Sequence, residues 1–215
     1  MPYRKLIGLF SKAPVLRAPP SAVPWKLDTT QWSPELLKRL EWRRLEELCV
    51  AYFEALGFST QVAPAGADGS IDIRLVADGA ERASILVQCK GWDAYGIGIK
   101  PLLALHAAMA AAGVEEGVMV SSGRFTPEAR TFAGKNAIVL LDGASLLAKI
   151  ASLEPEKAAA LLRFATDGDF LTPTCPACAV KMVSRQSTQG GRKFWGCPNY
   201  PRCKHTLAAT AYAPA

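Results

Sequence analysis

The sequence predicts a mixed α/β domain followed by a small metal-binding module, and three observations support this. Short apolar runs rich in Val, Ile and Leu alternate with amphipathic or alanine-rich stretches of helical length. Two of these runs flank Asp78-Gly79, a dipeptide typical of hairpin turns. Near the end of the chain, four cysteines have the spacing C-x2-C-x18-C-x5-C. We therefore expect four segments: a proline-rich basic arm (1–32), an α/β domain with a mixed sheet flanked by helices (33–165), a linker (166–172) and a cysteine module (173–210).

The elements of the α/β domain can be placed in order from local signals. Ser33-Pro34 is a helix start, and the apolar stripe that follows predicts one helix that ends near Leu56, before Gly57. A hairpin comes next, with Asp72 on its first strand and Gln88 and Lys90 on its second. The later predicted elements alternate between helix and strand: a helix at 100–112, a strand at 117–121, a helix capped by Thr126-Pro127, a strand at 137–141 and a helix at 144–151.

The net charge of +6 is concentrated at the two ends of the chain. Residues 1–40 hold seven Lys/Arg and two Asp/Glu (+5), residues 41–169 hold twelve and seventeen (−5), and residues 170–215 hold six and none (+6). Basic ends favour a polyanionic partner, and the excess carboxylates between them fit cation ligands. A basic solubilising tail is the alternative interpretation.

Membrane insertion and export are not expected. The chain has no run of eighteen apolar residues and no signal-peptide pattern. We therefore expect a cytoplasmic protein, in which the six cysteines are metal ligands or buried thiols before they are disulfides.

Three polar side chains of the hairpin form a candidate catalytic cluster. Gln88 and Lys90 are two residues apart on one strand and so point to the same face, and a suitable register brings Asp72 beside them. A carboxylate and an amide oxygen are suitable ligands for Mg²⁺, while a lysine can orient the attacking water and counter phosphate charge. This combination fits the hydrolysis of a phosphodiester.

The stretch Gly-Ala-Asp-Gly-Ser-Ile-Asp-Ile (66–73), followed by Val-Gln-Cys-Lys (87–90), resembles the catalytic core of Mrr-like restriction endonucleases. These belong to the PD-(D/E)xK nuclease superfamily, and the resemblance spans residues 40–150. It implies a restriction-endonuclease-like fold, Mg²⁺-dependent DNA cleavage of the type IV restriction kind, and two copies acting together for a double-strand cut. It also implies that Glu46, on the first helix, assists metal binding with Asp72 and Gln88. The alternative for Glu46 is an ordinary solvated helix acid.

The four cysteines of the terminal module predict a closed tetrahedral zinc site with a structural role. Cys175, Cys178, Cys197 and Cys203 supply two knuckles, and a segment of about forty residues needs such a metal to fold. A thioredoxin-like redox pair at Cys175 and Cys178 is disfavoured, because two further cysteines follow at ribbon spacing.

The residues between these cysteines resemble the C-terminal zinc ribbons of type IA DNA topoisomerases. That resemblance, over residues 173–208, implies binding of largely single-stranded DNA and no strand-passage activity. Basic and aromatic residues interleave here, as expected for a surface that follows phosphates and stacks on bases. The candidate DNA contacts are Lys181, Arg185, Lys193, Trp195 and Tyr200. Trp195 has the alternative role of wedging the zinc knuckles.

We therefore predict a Mg²⁺-dependent DNA endonuclease with a DNA-binding zinc ribbon, acting in the restriction of foreign or modified DNA. The alternatives are a non-cleaving DNA-binding protein with a nuclease fold, a DNA repair nuclease, and an adaptor whose ribbon contacts other proteins.

Overall fold

The computed structural model describes residues 27–63, 71–77, 83–91, 96–187 and 191–209. Most of the predicted arm, the Gly66–Ser70 stretch and the turn at Asp78-Gly79 lie outside these residues. The helices are α1 (Pro34–Arg39), α2 (Trp42–Ala55), α3 (Ile99–Ala112), α4 (Pro127–Lys135), α5 (Gly143–Ala151) and α6 (Pro155–Thr166). The strands are β1 (Ser59–Val62), β2 (Ile73–Val76), β3 (Ile85–Lys90), β4 (Glu116–Ser121), β5 (Ile138–Leu141), β6 (Val183–Gln186), β7 (Lys193–Gly196) and β8 (Thr206–Ala208).

The first five strands form one sheet in the order β1-β2-β3-β4-β5, and it is the mixed sheet that the sequence predicts. The pairs β1–β2 and β2–β3 are antiparallel, while β3–β4 and β4–β5 are parallel. The central strand β3 is therefore antiparallel to one neighbour and parallel to the other. Its residues are almost all buried, as expected for a strand that is covered on both faces.

Helices cover both faces of this sheet. Helices α2, α5 and α6 pack on one face, where Val87, Cys89 and Val120 point into the larger core. Helices α3 and α4 pack on the other face, over Leu86 and Met119. The alternation of neighbouring strand residues between the two cores follows from the pleat of the strands.

The helix predicted from Ser33 to Leu56 is wrong in one respect, because it is two helices. Ser33 caps α1 as expected, since its Oγ accepts a hydrogen bond from the backbone N–H of Leu36 at 3.0 Å. Leu40 then turns to an extended conformation (φ −58°, ψ 128°), which interrupts the helical hydrogen-bond ladder. Glu41 caps α2 with its own carboxylate, which accepts from the N–H of Arg43 at 3.2 Å. This break depends on tertiary contacts of Glu41 that the apolar stripe does not reveal.

The other local signals predict their elements well. Gly113 ends α3 in the left-handed conformation (φ 64°), and Thr126 caps α4, with Pro127 in its first turn. Helix α6 was not anticipated, although Pro155 at its start was an available signal.

The terminal module is a three-stranded antiparallel sheet in the order β6-β7-β8. Its core is small and consists of Cys175, Met182, Trp195 and Cys197, with a few partly buried neighbours. Among the described residues, no helix is long and apolar enough to cross a membrane.

Candidate functional site

Asp72 is held firmly at the start of β2. Its backbone N–H donates to the carbonyl of Val87 at 3.0 Å, so the residue belongs to the sheet although the strand begins at Ile73. Its carboxylate Oδ2 accepts from the backbone N–H of Cys89 at 2.5 Å. Asp72 is therefore fixed across the hairpin from the residues predicted to work with it.

Gln88 and Lys90 lie at the C-terminal end of β3. The register pairs Ile73 with Val87, which places Asp72 opposite Gln88. Gln88 is 2% exposed, whereas Lys90 is half-buried and lies beside Ser121 of the parallel strand β4. The cluster lies where β3 and β4 end, in the middle of the sheet and not on a lateral edge strand.

Glu46 joins this cluster from helix α2. The pKa of Glu46 is raised to about 8, mainly by burial and then by the negative charges of Asp72 and Glu41, while Lys90 and Arg43 oppose the shift. Burial also raises the pKa of Asp72, against the hydrogen bond from Cys89 and the charge of Lys90. Glu46 and Asp72 are thus two neighbouring carboxyl groups whose pKa values are raised, and a bound cation would stabilise their ionised forms.

The donor set fits a hard divalent metal. Asp72 and Glu46 offer carboxylate oxygens and Gln88 offers an amide oxygen, which are the ligand types that Mg²⁺ prefers. The raised pKa values of Glu46 and Asp72 come mainly from burial, and Lys90 offsets them only in part. These three residues could therefore hold such a metal.

Glu46→Gln is expected to flatten the pH dependence of stability in magnesium-free, zinc-loaded protein. Between the ordinary pKa of 4.5 and the folded value of about 8, the unfolded chain releases a proton that the folded chain retains. The free energy of unfolding therefore falls as pH rises through this window, and glutamine removes that loss, on the order of 1–2 kcal/mol at pH 8.

The measurement for Glu46→Gln is urea unfolding at pH 5, 6.5 and 8. Glu47→Gln is the matched control, because Glu47 lies on the same helix with 41% of its side chain exposed, in ion pairs with Arg43 and Arg44. Parallel pH profiles for wild type and Glu46→Gln would contradict the expected burial of Glu46.

The four cysteines converge as the zinc prediction requires. The Sγ atoms of Cys175, Cys178, Cys197 and Cys203 all lie within 4.8 Å of one another. Cys175 Sγ and Cys203 Sγ are 3.8 Å apart, the spacing of two corners of a tetrahedron with Zn–S bonds of about 2.3 Å. The cluster therefore fits a structural zinc ion bound by four thiolates.

The five candidate DNA contacts on the ribbon fall into two groups. Arg185, Lys193 and Tyr200 are exposed, and Tyr200 is 62% exposed. Trp195 is instead buried in the ribbon core beside the cysteines, and Lys181 donates to the Glu41 carboxylate at 3.1 Å. The packing of Trp195 is the wedging role that the sequence left open.

An open groove on the ribbon collects cationic and aromatic side chains. Its lining includes Arg185, Phe194, Tyr200 and Lys204, together with residues next to the zinc ligands Cys197 and Cys203. This arrangement is suited to a phosphate chain with an unstacked base. Phe194 and Lys204 are additions to the residues singled out from sequence, although both belong to its basic and aromatic pattern.

Sequence reasoning missed Glu41, which is 2% exposed although it is charged. Ser121 is fully buried at the end of β4 beside Lys90. No local signal distinguished Glu41 from neighbouring helix acids, because its burial comes from residues more than 130 positions away.

A mixed sheet with a carboxylate–amide–lysine cluster, joined to a four-cysteine ribbon, defines a nuclease-like domain with a zinc-binding appendage. The restriction endonuclease family model Mrr_cat matches residues 37–150, more than half of the chain. This protein belongs to that family. The topoisomerase DNA-binding C4 zinc finger matches residues 172–211.

Individual relatives match only in part. DNA topoisomerase 1 of Mycoplasma pneumoniae is 37% identical over 43 residues, which are 20% of this chain and 6% of that protein. DNA topoisomerase 1 of Archaeoglobus fulgidus is 37% identical over 62 residues, 29% of this chain and 9% of that protein. The chain thus spans less than a tenth of these curated relatives.

Two solved restriction endonucleases are similar to this chain. The MspJI restriction endonuclease in complex with a 27-mer oligonucleotide has a TM-score of 0.42 and 17% identity, over 66% of this chain and 35% of that chain. The DNA modification-dependent restriction endonuclease AspBHI has a TM-score of 0.45 and 20% identity, over 69% of this chain and 44% of that chain.

Proposed function

We propose that this protein is a Mg²⁺-dependent DNA endonuclease that hydrolyses phosphodiester bonds. The observation that carries the proposal is the Asp72 carboxylate, which the Cys89 N–H fixes at the strand ends beside Glu46 and Lys90. Gln88 adds an amide oxygen in a buried position. These are the groups that metal-assisted hydrolysis of a phosphodiester requires.

Each residue of the cluster has a distinct task in this proposal. Asp72, Gln88 and Glu46 hold the metal, which when bound supplies Lewis-acid polarisation of a phosphate oxygen and neutralises charge. Lys90 orients the attacking water in line with the leaving oxygen and counters the charge that develops on phosphorus. The backbone amide of Cys89 keeps Asp72 in place, so the carboxylate needs little reorganisation when DNA arrives.

The zinc ribbon contributes affinity for DNA. Arg185 and Lys193 contact phosphates and Tyr200 stacks on a base, since all three are exposed on the ribbon. Lys181 is not part of this contact, because its ammonium is engaged by Glu41. Zinc keeps the ribbon folded and takes no part in the chemistry.

We further propose a role in the restriction of foreign or modified DNA, of the type IV kind. A cytoplasmic location suits the six cysteines, none of which forms a disulfide. Two copies acting together would cut both strands, since one cluster serves one strand.

Lys90→Ala tests the proposal on supercoiled plasmid, methylated and unmethylated, with Mg²⁺ present or omitted. Wild type is expected to nick and linearise plasmid only with Mg²⁺, and Lys90→Ala is expected to lower the rate by about 10²-fold or more. Lys135→Ala is the matched control, since Lys135 is an exposed lysine in the last turn of α4.

Two outcomes would contradict the proposal. The first is cleavage that does not depend on Mg²⁺ or that Lys90→Ala leaves unchanged. The second is salt-dependent binding of DNA by wild type with no cleavage of any plasmid, which would indicate a binding protein with a nuclease fold. Zinc content and DNA affinity are measured for each variant, so that a lost ribbon is not mistaken for a lost active site.

A further inference from the structure

The buried carboxylate of Glu41 joins the nuclease domain to the zinc ribbon. Its Oε1 accepts from Thr174 Oγ1 at 2.9 Å and from Lys181 Nζ at 3.1 Å. Its Oε2 accepts from the backbone N–H of Thr174 at 3.1 Å and from that of Arg43 at 3.2 Å. Three of these four donors belong to the ribbon side of the chain. We call this set of hydrogen bonds the Glu41 joint.

Two further hydrogen bonds beside the Glu41 joint hold the same two parts together. The indole N–H of Trp42 donates to the carbonyl of Thr174 at 2.7 Å. The backbone N–H of Glu41 donates to the carbonyl of Phe170 at 3.0 Å. Phe170 itself packs against the larger core of the nuclease domain. The segment before the ribbon is therefore ordered against the domain and does not act as a free tether.

Burial makes the Glu41 joint selective for one arrangement. A carboxylate that is 2% exposed is tolerated only when its oxygens are hydrogen-bonded. A displacement of the ribbon by a few ångströms would break the hydrogen bonds from Thr174 and Lys181 and leave the Glu41 carboxylate without those donors. Intermediate orientations are consequently disfavoured over the docked one.

The Glu41 joint lies between the two DNA-contacting parts of the molecule. Thr174 directly precedes the zinc ligand Cys175, and Lys181 forms a β-bridge with Thr174 across the knuckle. On the other side, Glu41 and Glu46 are five residues apart at the start of α2, a rise of about 7.5 Å along a helix. One short, rigid path thus connects the zinc knuckle to the metal-binding cluster.

We infer that Glu41 is a positioning residue that fixes the zinc ribbon on the nuclease domain, so that DNA bound by the ribbon is cut at a set distance from the ribbon contact. This inference rests on the proposed nuclease function. The ribbon then acts as a ruler as well as an affinity module. The hydrogen bonds of Glu41 go to Arg43, Thr174 and Lys181, none of which lines the groove on the ribbon.

The first test measures the motion of the ribbon in the full, zinc-loaded chain by ¹⁵N relaxation. In wild type, amides of the ribbon and of the nuclease domain are expected to share one rotational correlation time. In Glu41→Gln and in Thr174→Val, the ribbon amides are expected to show a shorter time than the domain. Glu47→Gln is the control, because it removes ion pairs from the same helix with no ribbon contact.

Two relaxation results would overturn the inference. One is a ribbon that already tumbles independently in wild type. The other is a ribbon that stays docked in both variants. Thr174→Val is included because it removes one hydroxyl donor and leaves the helix cap of Glu41 intact, so a folding defect in Glu41→Gln does not decide the outcome.

The second test maps cut positions on duplex DNA that carries one single-stranded gap for the ribbon. Wild type and Glu47→Gln are expected to cut within a narrow window from the gap. Thr174→Val is expected to spread the cuts over a window at least about twice as wide, with zinc content and affinity for the gap unchanged. If Glu41 only stabilised the fold, the positions of the cuts would not change. Cut-position windows of equal width in wild type and Thr174→Val would therefore overturn the positioning role.

The two tests separate this inference from the proposed function. If wild type cleaves no DNA, the proposed function fails and the role of Glu41 in cleavage fails with it. The relaxation experiment needs no cleavage and still decides whether Glu41 fixes the ribbon.

Discussion

Asp72→Asn is expected to lower plasmid cleavage by about 10²- to 10³-fold while the protein stays folded. Asparagine has nearly the same shape and its amide oxygen can still accept from the N–H of Cys89, so the hairpin contact survives. The charge that attracts the metal is lost. The measurement is single-turnover nicking of supercoiled plasmid at saturating protein, with Mg²⁺ titrated to separate weaker metal binding from slower chemistry.

Asp72→Asn is also expected to raise the stability of the magnesium-free protein near neutral pH. Burial raises the pKa of Asp72, so the folded state holds its proton more tightly than the unfolded chain does. Stability is lost as pH rises through that interval, and asparagine avoids the loss. A gain in stability together with a loss of cleavage is the pattern expected of a functional site and not of a structural residue.

The control for Asp72→Asn is Asp167→Asn, an exposed aspartate just after helix α6. It should change neither cleavage nor stability. Cleavage by Asp72→Asn at the wild-type rate, with the wild-type dependence on Mg²⁺, would remove Asp72 from the proposed site.

Cys197→Ser is expected to release zinc and unfold the ribbon while the nuclease domain remains folded. Among the described residues, the ribbon core contains four buried hydrophobic residues, and two of them, Cys175 and Cys197, are themselves proposed zinc ligands. So small a core does not hold three short strands together without metal. Structural zinc contributes about 10–16 kcal/mol of apparent binding free energy in zinc-finger peptides, far more than this core can replace.

The nuclease domain has two cores of its own, which explains why it should survive the loss of zinc. The expected result for Cys197→Ser is loss of bound zinc by mass spectrometry and collapse of the ribbon amide signals alone. Affinity for single-stranded DNA should fall at least about tenfold, because the cationic and aromatic groove is dispersed.

Cys49→Ala is the matched control for Cys197→Ser. Cys49 is buried in the nuclease core and lies outside the four-cysteine cluster, so zinc content should not change. A Cys197→Ser protein that keeps one equivalent of zinc and an intact ribbon sheet would contradict the four-thiolate site.

The local features of this protein were readable from sequence because their causes are local. The spacing of the four cysteines predicts their convergence, since each pair sits in one tight knuckle. Thr126 and Gly113 mark helix ends through hydrogen bonds and backbone conformations that involve only their neighbours. The placement of Asp72 beside Gln88 follows from the pairing of two neighbouring strands.

Features that depend on distant parts of the chain were not readable. The approach of Glu46 to Asp72 joins a helix to a hairpin, and the alternation of apolar residues left Glu46 equally consistent with a solvated acid. The break at Leu40 and the burial of Glu41 depend on Thr174 and its neighbours.

The sequence by itself determined the class of the domain, the convergence of the four cysteines and the placement of Asp72 beside Gln88, because period, spacing and turn chemistry act over a few residues. Only the tertiary structure decided which basic side chains of the ribbon pair with a buried carboxylate. Lys181 and Arg185 are equivalent as residues of a basic ribbon, yet only Lys181 meets a buried carboxylate. Docking of the ribbon against α2 buries Glu41 and pairs it with Lys181, which stays partly exposed, while Arg185 is exposed outside this joint. That selection depends on contacts between segments 133 to 140 residues apart.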